Sequence, residues 1–86
     1  MFYFVYVLKS DIDGKFYIGF TRDPNRRLNE HNQGKNISTA RRRPLTLIYY
    51  EAHRSKPDAL RRENYFKTTK GRITLHQILR FYLRFQ

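Results

Sequence analysis

The chain has 86 residues, with 18 Lys and Arg against 7 Asp and Glu, a formal net charge of +11 and no cysteine. This length predicts one domain, residues 1–86, and the missing cysteines exclude a disulfide framework and thiolate metal sites. No window approaches the roughly 20 apolar residues of a membrane span, and no secretory signal is recognisable. We therefore expect a cytoplasmic protein whose partner is a polyanion, most commonly nucleic acid. The alternatives are a basic surface with no specific partner and one that faces anionic lipid.

The first half of the chain predicts a β-hairpin followed by a helix. Aromatic and β-branched residues 2–9 are typical of a strand, 11–14 (DIDG) of a turn, and 15–20 of a second strand. The Asp-Pro pair at 23–24 suits the start of a helix that runs to about residue 33. That helix has one large apolar side chain, so its polar face is free to serve a ligand.

The second half predicts a strand and two more helices. A basic loop over 34–44 precedes a third strand, 45–53. A capping box of Ser55 and Asp58 would start a helix over roughly 56–68. Lys70-Gly71 would then end this helix, and Thr74 would cap a last amphipathic helix. These elements predict an α+β (mixed α/β) fold with a three-stranded antiparallel sheet flanked by three helices.

The hairpin predicts a small polar gap on one face of the sheet. If four residues join Ser10 to Lys15, paired residue numbers sum to 25, so that Tyr6 lies opposite Gly19 and diagonal to Tyr17. Both phenols would then share a face, beside a glycine that lets a ligand approach the backbone. The alternative interpretation is that Tyr6 and Tyr17 are ordinary aromatic residues at the edge of the core.

Arg27 and His31 lie four residues apart and therefore share a face of the first helix. An arginine fork can bind phosphate through two hydrogen bonds, and a histidine one turn away can bind the same group or move a proton. A solvated basic helix face is the alternative. His53 and His76 are interpreted as ordinary surface or half-buried residues.

Glu63 falls on the face of the second helix that should pack inward, with Ala59 and Phe66. A carboxylate there is costly unless it is paired or bound to a cation. Two hypotheses follow: an ion pair with one of the many arginines, or a ligand for Mg²⁺, which commonly takes one or two carboxylates together with water and substrate phosphate.

These residues together resemble the GIY-YIG nuclease superfamily, most closely its small single-domain members in the UPF0213 and Slx1-like group. The resemblance runs from Phe4 to about Lys70 and is carried by YIGFTRDPNRRLNEHNQGK, RRPLTLIYYE and ALRRENYFK. The first half-motif departs from the family, because Phe4-Val5-Tyr6 stands where the family has Gly-Ile-Tyr. The tyrosine is kept, and the replaced glycine carries no reactive group.

The resemblance implies a small GIY-YIG fold and a metal-dependent endonuclease that hydrolyses DNA phosphodiester bonds with low sequence specificity, in DNA repair, recombination or processing. It implies that Glu63 holds one Mg²⁺ or Mn²⁺ and that Arg27 stabilises charge on the phosphate. Tyr6 would accept a proton from water, its pKa lowered by Arg27 and the metal, and Tyr17 would orient water or phosphate. His31 would bind phosphate or act as the rival base.

Basic residues around this site are predicted to contact a nucleic-acid backbone, which fixes register without reading sequence. Together with Gly19 they are Arg22, Arg26, Lys35, Arg41, Arg42 and Arg43. The DNA could be single-stranded, duplex or branched; RNA is an alternative, and the sequence identifies no protein partner. A non-catalytic nucleic-acid-binding or ribosome-associated module is the competing hypothesis. An anionic-membrane binder is weaker, because the apolar stripe opposite Arg80 and Arg84 is expected to cover the sheet.

Overall fold

The computed structural model describes residues 1–85, which form one antiparallel sheet and four α-helices. The elements in chain order are β1 (Tyr3–Ser10), β2 (Phe16–Thr21), α1 (Pro24–Asn32), a 3-10 turn (Ala40–Arg42), β3 (Leu45–His53), α2 (Lys56–Phe66), α3 (Thr69–Ile78) and α4 (Arg80–Arg84). The predicted α+β class with a three-stranded antiparallel sheet is confirmed. None of the helices within 1–85 combines the length and apolar character needed to cross a bilayer.

The central strand of the sheet is β1, and the strand order is β2-β1-β3. This position explains why β1 is apolar at consecutive residues, since both of its faces are covered. Val5 and Val7 pack with residues of α2 and α3 on one face. Tyr6 and Leu8 pack on the other face, against Leu28 of α1. The Val5 face of the sheet thus holds most of the buried core, and helix α1 packs on the Tyr6 face.

The hairpin has the predicted register, with Tyr6 opposite Gly19. The Ser10 amide donates to the Lys15 carbonyl at 3.0 Å, which closes the connection. Gly14 takes φ +71° in that turn, a conformation that glycine adopts without steric cost. The loop length therefore fixes which side chains meet across the two strands.

Helix α1 begins as the sequence predicts. The side chain of Asp23 accepts a hydrogen bond from the Arg26 amide, and Pro24 occupies the first turn. The helix is followed by Gly34 with φ +79°, on the C-terminal side of the Gln33 cap. These two ends set the direction in which α1 presents its polar side chains.

The predicted capping box of α2 does not form. Ser55 is the N-cap residue, but its side chain makes no capping hydrogen bond. Asp58 instead pairs with Arg61 at 3.1 Å, one turn further along the helix. The Asp58 carboxylate thus bonds to the charged Arg61 side chain in place of the Ser55 backbone amide that a capping box would use.

The prediction for the last helix is wrong in its start and in its continuity. Thr68 is the N-cap residue, and its side chain accepts a hydrogen bond from the Gly71 amide. Gly71 therefore lies inside α3 and does not interrupt the helix. The Thr74 hydroxyl donates to the Lys70 carbonyl within the same helix. The helical path is interrupted at Leu79, where α3 ends and α4 follows. The predicted stripe is kept only in part: Leu75 and Leu79 are buried, whereas Ile78 is 41% exposed.

Gly71 is required because α2 and α3 touch there. A Cβ built at this position would overlap the Tyr65 carbonyl and lie 2.7 Å from the Phe66 Cα. Both neighbours are backbone and can move only if the helices separate. The glycine therefore sets the approach of α3 to the end of α2, a long-range constraint that a local turn pattern does not reveal.

We predict that Gly71→Ala lowers the free energy of unfolding by about 2–3 kcal/mol, because overpacking against backbone forces the helices apart. Urea unfolding followed by circular dichroism measures this. Gly14→Asn is the matched control, since that turn has open space around the added side chain and asparagine tolerates its positive φ. A loss below about 0.5 kcal/mol for Gly71→Ala would contradict the packing argument.

Candidate active site

The centre of the candidate site is the phenol of Tyr6, which lies against Gly19 on the neighbouring strand. Tyr6 is 1% exposed. A Cβ on Gly19 would overlap the Tyr6 hydroxyl and lie 2.8 Å from its Cε1. The glycine therefore makes room for Tyr6 itself. The expectation that a ligand backbone would approach through this gap is wrong, since the phenol already fills it.

A continuous chain of hydrogen bonds runs through the Tyr6 hydroxyl. Arg27 donates from Nε to the Tyr6 oxygen at 3.3 Å. That oxygen lies 3.1 Å from His31 Nε2, and His31 Nδ1 lies 2.7 Å from the Thr39 hydroxyl. His31 and Thr39 are both completely buried. The register of the hairpin and the direction of α1 together bring Tyr6, Arg27 and His31 into one site, as the sequence predicts.

Tyr17 joins the same cluster through its ring. Its centroid is 4.8 Å from that of His31, edge to face, and 6.3 Å from that of Tyr6. Asn36 donates to the Tyr17 hydroxyl at 3.5 Å. The two phenols and the imidazole thus form one aromatic group whose polar atoms are all engaged.

Two of these partners come from the 34–44 loop and were not foreseen. Thr39 holds His31, and Asn36 contacts Tyr17. The signal in the sequence is the run of uncharged polar residues between the basic ones. Interpreting the loop only as a basic segment leaves these polar residues out. The loop therefore positions the imidazole as well as carrying charge.

Burial shifts the pKa values of Tyr6 and His31 in opposite directions. Desolvation raises the pKa of Tyr6 to about 12, and the hydrogen bond from Arg27 only partly offsets it. Desolvation also lowers the pKa of His31 below its ordinary value of 6.5, and the charge of Arg27 adds to the effect. At neutral pH the protein alone therefore holds a protonated phenol beside a neutral imidazole.

Glu30 holds Arg27 in place and was not identified from the sequence. It accepts from Arg27 Nη1 at 2.9 Å and from Arg26 Nε at 3.2 Å. These arginines keep the pKa of Glu30 below its usual range, with the Arg27 hydrogen bond as the largest favourable cause. Its position three residues after Arg27 was a readable signal for a helical ion pair.

Glu63 lies on α2 with its side chain 16% exposed and pairs with Lys67, whose Nζ is 2.8 Å away. The ion-pair hypothesis is thus realised with a lysine one turn on, in place of an arginine. Its negative charge adds slightly to the rise in the Tyr6 pKa, after the larger effects of burial and of Tyr17. Within residues 1–85 no three acidic, histidine or cysteine side chains are grouped to hold a metal.

The predicted nucleic-acid contacts fall into two groups. Arg22, Arg26 and Arg27 line a polar cleft of about 360 Å³ next to the site. Lys35 and Arg41 are exposed on the loop.

The side chains of Arg42 and Arg43 are engaged within the protein. Arg42 donates to the Phe16 carbonyl at 3.4 Å and pairs with Asp13 at 3.5 Å. Arg43 donates to the Ala40 carbonyl at 2.6 Å and lies over Gly34. These two arginines fix the loop to the hairpin and to the end of α1, because buried or crowded carbonyls there need donors.

A family model described as the GIY-YIG catalytic domain matches residues 2–76. The chain belongs to the GIY-YIG family, and this membership indicates a nuclease. Among its relatives is a UPF0213 protein of Streptococcus agalactiae, 45% identical over 74 residues that cover 83% of each protein. A UPF0213 protein of Staphylococcus epidermidis is 43% identical over 67 residues, 77% of this chain and 80% of that protein. The solution NMR structure of the UPF0213 protein BH0048 from Bacillus halodurans is similar at a TM-score of 0.57 and 33% identity, covering 91% of this chain and 85% of that one.

The buried imidazole predicts that the protein loses stability in mild acid. Because the folded state disfavours protonated His31, the unfolded chain takes up the proton first as the pH falls below about 6.5. The free energy of unfolding then drops, by at most about 1.4 kcal/mol per pH unit for one proton. Urea unfolding at pH 7.5 and 5.5 measures this for the parent and for His31→Gln. The variant should show a smaller difference between the two pH values, and an equal difference would contradict the prediction.

Proposed function

We propose that the protein is a metal-dependent endonuclease that hydrolyses phosphodiester bonds in DNA with low intrinsic sequence specificity. It would act in the cytoplasm, in DNA repair, recombination or processing. Family membership and the net charge of +11 support this proposal. The observation that carries it is the chain of hydrogen bonds from Arg27 through Tyr6 to His31 and Thr39.

Tyr6 and His31 would move the proton of the attacking water together. The Thr39 hydroxyl lies 3.5 Å from the Asn36 carbonyl, to which it can donate, and it can then accept from His31 Nδ1–H. This arrangement leaves Nε2 unprotonated and facing the Tyr6 hydroxyl. Tyr6 would take a proton from water as its own proton passes to Nε2. A phenol with a pKa of about 12 is a poor base alone, and the adjacent neutral imidazole supplies the acceptor.

Arg27 would serve both the phenol and the phosphate. Its Nε donates to Tyr6, which stabilises negative charge on that oxygen, and its Nη1 donates to Glu30. The side chain is 34% exposed and lines the basic cleft, so its remaining N–H groups can reach a phosphate oxygen. Arg27 would thereby stabilise charge that builds on the scissile phosphate. Tyr17 would orient the attacking water or the phosphate.

Glu63 would hold one Mg²⁺ or Mn²⁺. The donor set fits a hard cation of this kind, because Mg²⁺ is commonly held by one or two carboxylates with substrate phosphate and water in its other positions. Lys67 is half exposed and can release the carboxylate. When bound, the ion would neutralise charge on the scissile phosphate and stabilise the departing 3′ oxygen.

Arg22, Arg26, Lys35 and Arg41 would contact the backbone of the substrate. Such contacts carry affinity without sequence information, in keeping with the low specificity proposed. Arg42 and Arg43 would support the loop that carries them. The substrate is proposed to be DNA, with RNA as a second substrate to be included in every test.

We predict that purified protein cuts DNA with Mg²⁺, that EDTA stops the reaction, and that Glu63→Gln lowers the single-turnover rate at least about 100-fold while binding is retained. A panel of single-stranded, duplex and branched DNA and of RNA measures this. Glu30→Gln is a comparison that keeps Glu63, with a milder loss expected through Arg27. Binding without cleavage on every substrate and metal would support the non-catalytic module instead.

The pH dependence of the rate distinguishes the two candidate bases. With His31 present, the reactive state of protonated phenol and neutral imidazole persists from the depressed pKa of His31 up to that of Tyr6. The single-turnover rate of the parent should therefore be flat above about pH 6.5. In His31→Asn the phenol must ionise first, so the rate should rise about tenfold per pH unit between pH 7 and 9. A flat profile in that variant would contradict the proposed relay.

A further inference from the structure

We propose that the open end of the Tyr6 face is a stacking platform for unpaired bases of the substrate strand. This inference rests on the proposed nuclease function and adds to it a binding site and a substrate class. The platform consists of Phe2, Phe4 and Tyr50, and Arg54 lies beside it. None of these residues belongs to the site described above.

The three rings share one face with Tyr6. Side chains alternate along β1, so Phe4 projects on the same side as Tyr6, and the ring of Phe2, just before the strand, lies against that of Phe4. Tyr50 is paired with Tyr6 across β1 and β3, which places it on that side as well. The Phe2 and Phe4 centroids are 6.5 Å apart, and those of Phe4 and Tyr50 are 5.6 Å apart. The result is a row of rings that continues the Tyr6 face toward the start of β1.

The two outer rings of this row, Phe2 and Tyr50, are exposed to solvent, and Phe4 between them is partly buried. Helix α1 packs on the same face near Leu8 and Leu45, at the other end of the strands. Tyr50 is 54% exposed and Phe2 is 44% exposed. Large aromatic side chains on an open sheet face are costly to leave in water. Here the row begins at Tyr50, directly opposite the candidate catalytic phenol of Tyr6.

The charges around the row indicate which partner covers it. Arg54 follows β3 and places its guanidinium 5.5 Å from the Phe2 ring centroid. At the other end of the row, Arg27 donates to the hydroxyl of Tyr6, the residue paired with Tyr50. An apolar row with a cation at each end fits a chain that alternates flat rings with phosphates. Single-stranded nucleic acid has that chemistry, since every base offers a face for stacking and every linkage a negative charge.

A duplex cannot use this surface in the same way, because its bases are stacked on one another. The platform would therefore select strands with unpaired nucleotides next to the scissile phosphate. Phosphate contacts in the cleft lined by Arg22, Arg26 and Arg27 would bind single-stranded and duplex nucleic acid alike. The expected property is a preference for unpaired strands that resides in the aromatic row.

Fluorescence anisotropy in EDTA, which prevents cleavage, tests the platform with an oligothymidine strand and with a duplex of equal length. The variant Phe2→Ser/Tyr50→Thr should weaken single-strand binding at least about fivefold, as expected when base stacking on an aromatic ring is lost. Duplex binding should change less than about twofold. Tyr50→Phe, which keeps the ring, should bind as the parent does.

The matched control is Phe81→Ser/Phe85→Ser, which removes one ring of α4 and the ring that follows it, 61% and 77% exposed. It should leave both affinities unchanged. Thermal unfolding followed by circular dichroism checks folding. The single variant Tyr50→Thr replaces the double variant if the latter unfolds at a lower temperature than the parent.

A salt titration separates stacking from charge. Tyr50→Thr should keep the parent's slope of log K against log[salt], and Arg54→Gln should reduce that slope by about 0.7 on the single strand.

Equal losses on strand and duplex, no loss on either, an equal loss in the α4 control, or no single-strand binding by the parent would each overturn the platform. Its failure is separable from failure of the proposed chemistry. If no substrate is cut but the selective loss is found, the platform stands and the nuclease proposal is wrong. If DNA is cut and the selective loss is missing, the platform is wrong and the nuclease proposal stands.

Discussion

The contact between the Tyr6 phenol and Gly19 is the constraint on which the candidate site depends. It places a hydroxyl in a buried position, where an unpartnered polar group would cost about 1–3 kcal/mol. Arg27 and His31 supply the partners, and His31 in turn needs one because it is itself completely buried. Thr39 meets that requirement from the loop. One close approach between two strands thus leads to a hydrogen-bonded chain that links the sheet, α1 and the loop.

The same burial keeps Tyr6 protonated and His31 neutral, so that one can donate a proton and the other can accept it. In water a tyrosine and a histidine titrate more than three pH units apart. The site widens that separation, because desolvation moves the pKa of the phenol up and that of the imidazole down. A protonated donor and a neutral acceptor are therefore held side by side over a broad pH range. The strand that carries Tyr6 separates this chemistry from the main core, since its other face, with Val5 and Val7, packs against α2 and α3.

Much of this arrangement could be predicted from short-range rules. A four-residue turn fixed the pairing of Tyr6 with Gly19, and helical spacing placed Arg27 and His31 on one face. What escaped prediction depends on contacts between distant segments. Gly71 looked like a helix breaker because its packing against Tyr65 is visible only when α2 and α3 are docked. Thr39 was missed because nothing local marks the partner of a histidine on another element.

The most direct test of the central claim is the single-turnover cleavage rate of Tyr6→Phe with saturating Mg²⁺ and saturating substrate. This change keeps the ring that packs on Gly19 and removes only the oxygen that joins Arg27 to His31. We expect a rate at least about 100-fold below that of the parent, in keeping with loss of a general base, with substrate affinity and folding retained. A Tyr6→Phe protein that cuts DNA as fast as the parent would contradict the proposed role of Tyr6.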